Sequence, residues 1–273
     1  MSKILNTFFS FVLASFFIVL IVSKTDAQNI EIGANVGLSN YIGDLAPTPV
    51  ITETKPACGI YTRINMSSTW AWTNGFTFAQ VSGNDKNFDF NKNRNLNFRS
   101  NIYELASTFE FNYLKYGVGV LDNRFTSYLF AGFAVFGFEP QGQYNGNWYN
   151  LRAIQTEGPG NGYQTFSYAV PFGIGIKWIL NRSFNFECQF GFRKTYTDYL
   201  DDVSKTYSDI SQQIKKGQVS AVLSDPSILN NGGTFTNKNG YKRGNSDFND
   251  WYMILNVGLS YRIYRKVKCS RFY

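Results

Sequence analysis

Residues 250–264 read DWYMILNVGLSYRIY and alternate with a period of two. In an extended strand, successive side chains point to opposite faces of the sheet, so this stretch predicts a strand with one apolar face and one mainly small or polar face. The apolar face consists of Trp251, Met253, Leu255, Val257, Leu259, Tyr261 and Ile263. Aromatic residues stand near both of its ends, which is typical of a strand that crosses two water–lipid boundaries.

The same pattern recurs along the chain, although less regularly in residues 125–138. Seven further strands are predicted at residues 29–41, 59–66, 70–81, 102–113, 125–138, 166–178 and 184–195. Pro171 lies inside one of them and predicts a bulge or a sheet edge, because proline cannot donate to the hydrogen-bond ladder. Soluble β-sandwiches alternate in the same way, so the choice between a sandwich and a membrane barrel depends on this recurrence together with an export signal.

The connections between the predicted strands alternate between short and long. Tight connections are predicted at residues 67–69 and 181–183, a modest one at residues 116–124, and long ones at residues 42–57, 83–97, 139–164 and 198–249. Bacterial outer-membrane barrels have short periplasmic turns, long outer loops and an even number of strands. The sequence therefore predicts an all-β, eight-stranded antiparallel transmembrane up-and-down β-barrel with long outer loops and periplasmic termini. A secreted β-sandwich is the alternative.

The first residues have the composition of an export signal. Lys3 supplies a basic start, residues 8–22 are almost wholly apolar, and Thr25-Asp26-Ala27 offers a small-residue cleavage site. We predict a signal peptide at residues 1–27 and one barrel domain at residues 28–273, integral to the outer membrane. A membrane anchor is the alternative interpretation of residues 8–22, and no other segment approaches the ~20 apolar residues of a spanning helix.

Charged residues occur on the polar faces of the predicted strands, in equal numbers of acids and bases. The eight are Glu31, Arg63, Glu104, Glu110, Lys177, Glu187, Arg193 and Arg262. A lipid-facing Arg or Lys costs up to ~2–4 kcal/mol at the bilayer midplane, so these side chains are expected inside the barrel. Side chains fill the width of an eight-stranded barrel, and opposite charges can compensate one another there. We therefore expect a plugged, ion-paired interior instead of a pore. Solvated residues on the open face of a sandwich are the alternative.

The chain offers little catalytic chemistry. It contains no histidine, the residue that many hydrolytic mechanisms use as a general base. Asp198, Asp201 and Asp202 could hold a cation. The favoured interpretation is that Asp201 or Asp202 caps a helix carrying Val203, Tyr207, Ile210 and Ile214 at helical spacing. We expect no enzyme activity, no cofactor, no metal and no nucleic-acid binding.

Three cysteines leave at least one thiol unpaired within the chain. Cys58 is predicted beside an outer loop, Cys188 on the lipid face, and Cys269 in a basic periplasmic tail at residues 265–273. A membrane thickness would separate Cys58 from Cys269, which excludes a disulfide between them. We hypothesise that the tail contacts a periplasmic partner, with Cys269 forming a mixed disulfide. The candidate contact residues are Lys266, Lys268, Cys269 and Arg271. A free thiol on a frayed tail is the alternative.

Four segments carry a resemblance to a known family. They are GLSNYIGDLAP (37–47), NIYELASTFEFNY (101–113), GIGIKWIL with FNFECQFGFRKTYTDYLDDVSKTY (within 173–207), and RGNSDFNDWYMILNVGLSY (243–261). Together they resemble the PorG family, an outer-membrane barrel of the Bacteroidota type IX secretion system. TDYLDDVS is the most specific piece, whereas the part of the loop at 208–249 that precedes Arg243 carries no recognised similarity.

The resemblance implies a non-enzymatic barrel that anchors or positions a periplasmic ring built from the lipoprotein PorK and its partner PorN. That machinery exports proteins with a C-terminal sorting domain and supports gliding motility in some species. The alternative is a generic small outer-membrane barrel with a surface-binding or envelope-stabilising role.

Overall fold

The computed structural model of the protein describes residues 29–116, 123–160, 162–234 and 238–263. Its strands are β1 Asn29–Ile42, β2 Lys55–Asn65, β3 Trp70–Asn84, β4 Asn97–Asn112, β5 Phe125–Tyr144, β6 Asn147–Asn150, β7 Phe166–Ile179, β8 Phe184–Thr195 and β9 Trp251–Ile263. Its helices are α1 Leu151–Ile154, α2 Ile210–Lys216 and α3 Gln218–Ser224. None of the helices in these ranges has the length and hydrophobicity needed to span a bilayer.

Eight of the strands form a closed antiparallel barrel. Each strand pairs with its neighbour along the chain, with β5 passing directly to β7, and β1 pairs with β9 to close the ring. Closure leaves no strand edge with unpaired backbone groups facing lipid. The short strand β6 pairs only with the end of β5 and lies outside the ring. The predicted eight-stranded antiparallel transmembrane barrel is confirmed.

The two faces of the strands divide as the alternation predicts. In β9, Leu255, Val257 and Leu259 are exposed on the outside, whereas Asn256 and Ser260 are buried inside. The outer wall is thus an apolar band, while the inner face holds polar and charged residues. We call the end of the barrel with the short turns at 66–69 and 180–183 the terminal end. The opposite end, where the long loops lie, is the loop end.

Several strands extend further toward the loop end than predicted. β2 begins at Lys55 instead of residue 59, β4 at Asn97 instead of 102, and β5 continues to Tyr144 instead of 138. The predicted loops at 42–57, 83–97 and 139–164 are correspondingly shorter. In the added parts of β4 and β5 the outward side chains are polar, including Arg99 and Gln141, so the two-residue hydrophobic rhythm fades. In the added part of β2 the outward residues are Pro56 and Cys58.

Pro171 lies in β7, which pairs with a strand on each side and is therefore not an edge. Pro171 pairs with Arg193 of β8, but the ladder between β5 and β7 has a gap opposite Val170 and Pro171. The missing proline N–H accounts for this interruption. The prediction of a bulge or a sheet edge was wrong. The irregularity is a local gap in one ladder, with two unpaired residues on each strand.

Three predictions fall wholly or mostly on residues outside the described ranges, one of them being the connection at 116–124, of which 117–122 lie outside. The others are the signal peptide at 1–27 and the tail at 265–273 with Lys266, Lys268, Cys269 and Arg271.

Candidate functional site

The charged residues predicted for the interior all lie inside the barrel and are almost fully buried. Arg63 is at the centre of the larger group. Its guanidinium contacts Glu31 at 3.2 Å, Glu110 at 2.9 Å and Glu187 at 2.5 Å, which brings together carboxylates from three other strands. A planar guanidinium with five N–H donors suits such multiple pairing.

Two further bases complete this group. Lys177 of β7 pairs with Glu110, and Arg262 of β9 pairs with Glu31 at 3.3 Å. The group therefore contains three carboxylates and three bases, so its charges balance. Because each buried charge has an opposite partner, the desolvation cost of placing it in a low-dielectric interior is offset.

A second, smaller group crosses the barrel nearer the loop end. Arg193 of β8 pairs with Glu104 of β4 at 3.3 Å, and the Tyr252 hydroxyl of β9 donates to Glu104 at 2.6 Å. β4 and β9 are four strands apart in either direction around the ring. These contacts therefore bridge the full width of the lumen.

A cavity of about 50 Å³ lies between the two groups. It is bordered by Asn35, Arg63, Glu104 and Asn256. A site needs roughly 10–15 Å³ to hold one water molecule, so this cavity accommodates only a few. Its polar lining suits ordered water, and its size is far below that of a site for a drug-sized ligand.

The loop end is closed by a folded layer that we call the loop cap, composed of residues 43–54, 85–96, 145–160, 162–165, 196–234 and 238–250. At its base, the Tyr41 hydroxyl lies 2.6 Å from Asp201 and 2.7 Å from Asp250. A hydroxyl carries one proton and can donate to only one carboxylate. The second contact needs a proton on the other carboxyl group, which then donates to the Tyr41 oxygen. The three side chains therefore share a protonated carboxyl group.

Arg243 joins two loops in the middle of the cap. Its guanidinium lies 3.4 Å from Glu157, 3.6 Å from the Asp202 carboxylate and 2.5 Å from the Asp202 carbonyl oxygen. Glu157 also accepts from the backbone N–H groups of Ser204 and Lys205. Asp202 accepts from the hydroxyl of Tyr163 at 2.6 Å. The loop that precedes β7 is thus fixed to the loop that precedes β9 by charged groups.

Arg94 connects the remaining loops. It makes a two-pronged contact with Asp85, at 2.7 and 2.6 Å, and donates to the carbonyl oxygens of Arg243 and Asp44. The Asp44 carboxylate in turn accepts from the backbone N–H of Asn245 at 2.6 Å. Bidentate pairing of this kind adds geometric specificity to its strength.

Two glycines permit this close packing. A Cβ atom on Gly43 would lie 2.0 Å from the Tyr41 hydroxyl and 2.1 Å from an oxygen of Asp250. A Cβ atom on Gly244 would lie 2.5 Å from Asp44 and 2.7 Å from the Ser204 nitrogen. Any larger residue at either position would displace the hydrogen-bonded groups of the cap.

Burial shifts the acid–base behaviour of the cap. It raises the pKa of Asp198 to about 7 and, against the opposing charge of Arg243, that of Asp202 to about 6. Burial also raises the pKa of Asp201, with the neighbouring Asp250 charge adding to the rise, and that of Asp250 itself. Several cap carboxyl groups therefore keep their protons at a pH where an exposed aspartate has lost its own.

The predicted role of these aspartates as helix caps was wrong. Residues 200–208 contain no helix, and the helix that follows, α2, begins at Ile210 with Asp209 as its cap, accepting from the Ser211 N–H at 2.9 Å. Asp201 and Asp202 instead accept hydrogen bonds inside the cap. Across the described ranges, no set of three or more Asp, Glu or Cys side chains is placed to hold a metal ion.

The two cysteines within the described ranges are free. Cys58 lies in β2, three residues after the strand begins at the loop end, and is exposed on the outer wall, where it pairs with Val36 and Phe78. Cys188 lies on the outer wall in β8, as its position on the apolar face indicates.

Sequence reasoning missed the loop cap, although one signal for it was present. Tyr41 and Asp44 lie in the first segment that carries the family resemblance, Asp201 and Asp202 in the third, and Arg243 and Asp250 in the fourth. Segments up to 209 residues apart meet at one end of the barrel. The order of these segments along the chain does not indicate that they lie together.

The family model described as "Domain of unknown function (DUF6089)" matches residues 10–224 of the chain. The chain belongs to the DUF6089 family. The match includes the first seven strands of the ring and the start of the loop that precedes β9. Most of the barrel of this DUF6089 protein, and part of its loop cap, therefore lie within the region that the family model covers. Comparison with curated proteins gave no significant match.

Several solved structures show similarity to this DUF6089 protein. Ail of Yersinia pestis, the attachment invasion locus protein, shares 8% identity, with 86% of this chain and 99% of Ail covered and a TM-score of 0.42. Neisserial surface protein A shares 7% identity over 86% and 97% of the two chains, with a TM-score of 0.40. The N-terminal barrel domain of Pseudomonas aeruginosa OprF shares 10% identity over 86% and 97%, with a TM-score of 0.36. Values of this size carry no information about ligands or partners.

Proposed function

We propose that this protein is a non-enzymatic outer-membrane component of the type IX protein secretion machinery, where it anchors or positions a periplasmic ring of PorK- and PorN-like proteins. The terminal end of the barrel then faces the periplasm, and the loop cap faces the cell exterior. The proposal rests on the resemblance of four sequence segments to the PorG family. Three of those segments contribute residues to the loop cap.

The observation that favours an anchor over a transporter is the blocked lumen. Tyr252 and Arg193 reach Glu104 from the far side of the barrel, and Arg63 links three other strands below them. A barrel filled in this way supplies a rigid membrane-embedded body without a transport path. Its surfaces for partners are then its outer wall and its two ends.

The direct test is affinity purification of the full chain from detergent-solubilised outer membranes. Co-purification of ring proteins is the expected result, together with loss of secretion of sorting-domain cargo when the gene is deleted. Two tail variants separate the contributions at the periplasmic end. Lys266→Ala/Lys268→Ala/Arg271→Ala tests charge, and Cys269→Ser on a non-reducing gel tests a mixed disulfide.

An isolated barrel, with cargo secretion unchanged in the deletion strain, would reject the secretion role. It would favour the alternative of a generic small barrel that binds surface ligands or stabilises the envelope. If both tail variants retain the ring proteins, the contact lies elsewhere on the periplasmic end, and the tail hypothesis alone is rejected.

A further inference from the structure

A groove of about 490 Å³ lies in the lipid-facing wall of the barrel near the terminal end. Its floor follows one cross-strand row, in which Ser127 of β5 pairs with Ile176 of β7 and Ile176 pairs with Cys188 of β8. Ser127 and Cys188 have short side chains, whereas Phe111, Tyr113 and Phe190 rise around them. The groove thus results from small residues flanked by aromatic ones.

The chemistry of the groove suits a hydrocarbon chain. Its lining is almost entirely apolar and opens on the side of the barrel that contacts lipid tails. Its volume falls within the ~300–1,000 Å³ range of small-molecule sites. A continuous apolar trough at this depth packs well against one acyl chain.

Two exposed bases lie close in sequence to residues that line the groove, on the side of the terminal end. Lys115 follows Tyr113 by two residues, and Arg124 precedes Ser127 by three. Backbone hydrogen bonds hold the chain near both bases beside the groove. The Tyr113 N–H donates to the carbonyl oxygen of Ser127 at 2.9 Å, and the Ile179 N–H donates to the carbonyl oxygen of Arg124 at 2.7 Å. Lys and Arg at a membrane boundary attract anionic headgroups.

We propose that the groove and these two bases form a binding site for one anionic phospholipid of the leaflet at the terminal end. One acyl chain occupies the groove between Ser127 and Cys188, and the phosphate contacts Lys115 and Arg124. This site depends on the barrel alone and stands or falls separately from the secretion role.

The two free thiols on the outer wall provide an internal comparison. Cys188 lines the groove, whereas Cys58 lies on β2, away from it. In a Cys269→Ser background, the purified barrel in detergent is treated with a membrane-permeant maleimide. The alkylation rate of each thiol is followed by mass spectrometry with added phosphatidylglycerol or phosphatidylcholine. Phosphatidylglycerol is expected to lower the alkylation rate of Cys188 severalfold and to leave the alkylation rate of Cys58 unchanged. Equal protection of Cys188 by both lipids, or equal protection of both thiols, overturns the proposal.

Variants test the two halves of the site. Lys115→Gln/Arg124→Gln is expected to abolish the preference for phosphatidylglycerol. Ser127→Phe fills the groove and is expected to remove the lipid retained in native mass spectrometry. The matched control is Ala34→Phe, an outward-facing position on β1 across the barrel, which should retain it. Retention of the anionic lipid by folded Ser127→Phe at the wild-type level contradicts the proposal, and the thiol comparison on the wild-type groove does not depend on variant folding.

Discussion

The hydroxyl of Tyr252 donates to the carboxylate of Glu104 at 2.6 Å, joining strands that lie on opposite sides of the barrel. A contact of this kind fixes the diameter of the ring as well as the neighbouring side chains. Because the lumen is packed with such contacts, the effect on stability of removing a single side chain from it can be predicted.

Glu104 is also held by Arg193, and this pair provides the first prediction. Arg193→Met leaves the Glu104 carboxylate buried without its base, which we expect to lower the free energy of unfolding by about 3–5 kcal/mol. Adding Glu104→Gln should recover most of that loss, because the uncompensated charge is then gone. Tyr252→Phe alone should cost about 1–3 kcal/mol. Urea unfolding in detergent or lipid, followed by heat-modifiable gel mobility, measures all three. A double variant less stable than Arg193→Met would contradict the charge argument.

Arg63 gives a sharper test, because only some of its three carboxylate partners would still be paired with another base after Arg63 is removed. Glu110 keeps Lys177 and Glu31 keeps Arg262, whereas Arg63 is the one base paired with Glu187 within the described ranges. Arg63→Met should therefore be rescued more by Glu187→Gln than by Glu110→Gln. If Glu187→Gln and Glu110→Gln restored the stability of Arg63→Met equally, the total charge of the group would matter and the individual pairings would not.

The cap should lose stability as the pH rises. Folding raises the pKa of Asp198 from 3.8 to about 7, so between these values the folded state binds a proton that the unfolded state has released. The free energy of unfolding then falls with increasing pH across this interval. The raised pKa values of Asp202, Asp201 and Asp250 act in the same direction. Hydrogen-exchange protection of peptides from residues 196–250, corrected for intrinsic exchange, should be greater at pH 5.5 than at pH 8. Asp198→Asn should make this dependence shallower, and an unchanged slope would exclude Asp198 as a contributor.

Gly43→Ala should disrupt the cap while leaving the barrel folded. The added methyl group would collide with both Tyr41 and Asp250, and such overpacking typically costs about 1–3 kcal/mol. We expect faster proteolysis within the loops, with heat-modifiable migration preserved. Gly162→Ala is the matched control, because a Cβ atom there meets nothing within 4 Å. Equal cleavage of the two variants would mean that close packing at Gly43 is not required.

The barrel was largely predictable from sequence because lipid on one side and a polar interior on the other impose a strict alternation. The rhythm of residues 250–264 and the inward position of Arg63 and Glu110 both follow from that constraint. The pairings among the charged side chains could not be predicted from that alternation, because they depend on strand tilt and register. That Arg63 meets Glu187 of β8 cannot be read from either strand alone.

The parts outside the membrane were less predictable. The outer ends of β4 and β5 lie in water, where both faces can be polar and the alternation gives no signal. The β5–β6 hairpin did have a readable turn, because Asn145 and Gly146 adopt φ values of 49° and 80° and Asn-Gly favours such turns. In the cap, Tyr41 and Asp201 are 160 residues apart, and no local pattern relates them.

The ion pair between Glu31 and Arg262 has a consequence for how the protein enters its membrane. Glu31 belongs to the first strand of the ring and Arg262 to the last, so their 3.3 Å contact exists only after the whole chain has arrived. Threading the hairpins into the bilayer one after another would leave that carboxylate without Arg262 until the final step. Membrane insertion and seam closure are therefore expected to occur together, as one concerted assembly event.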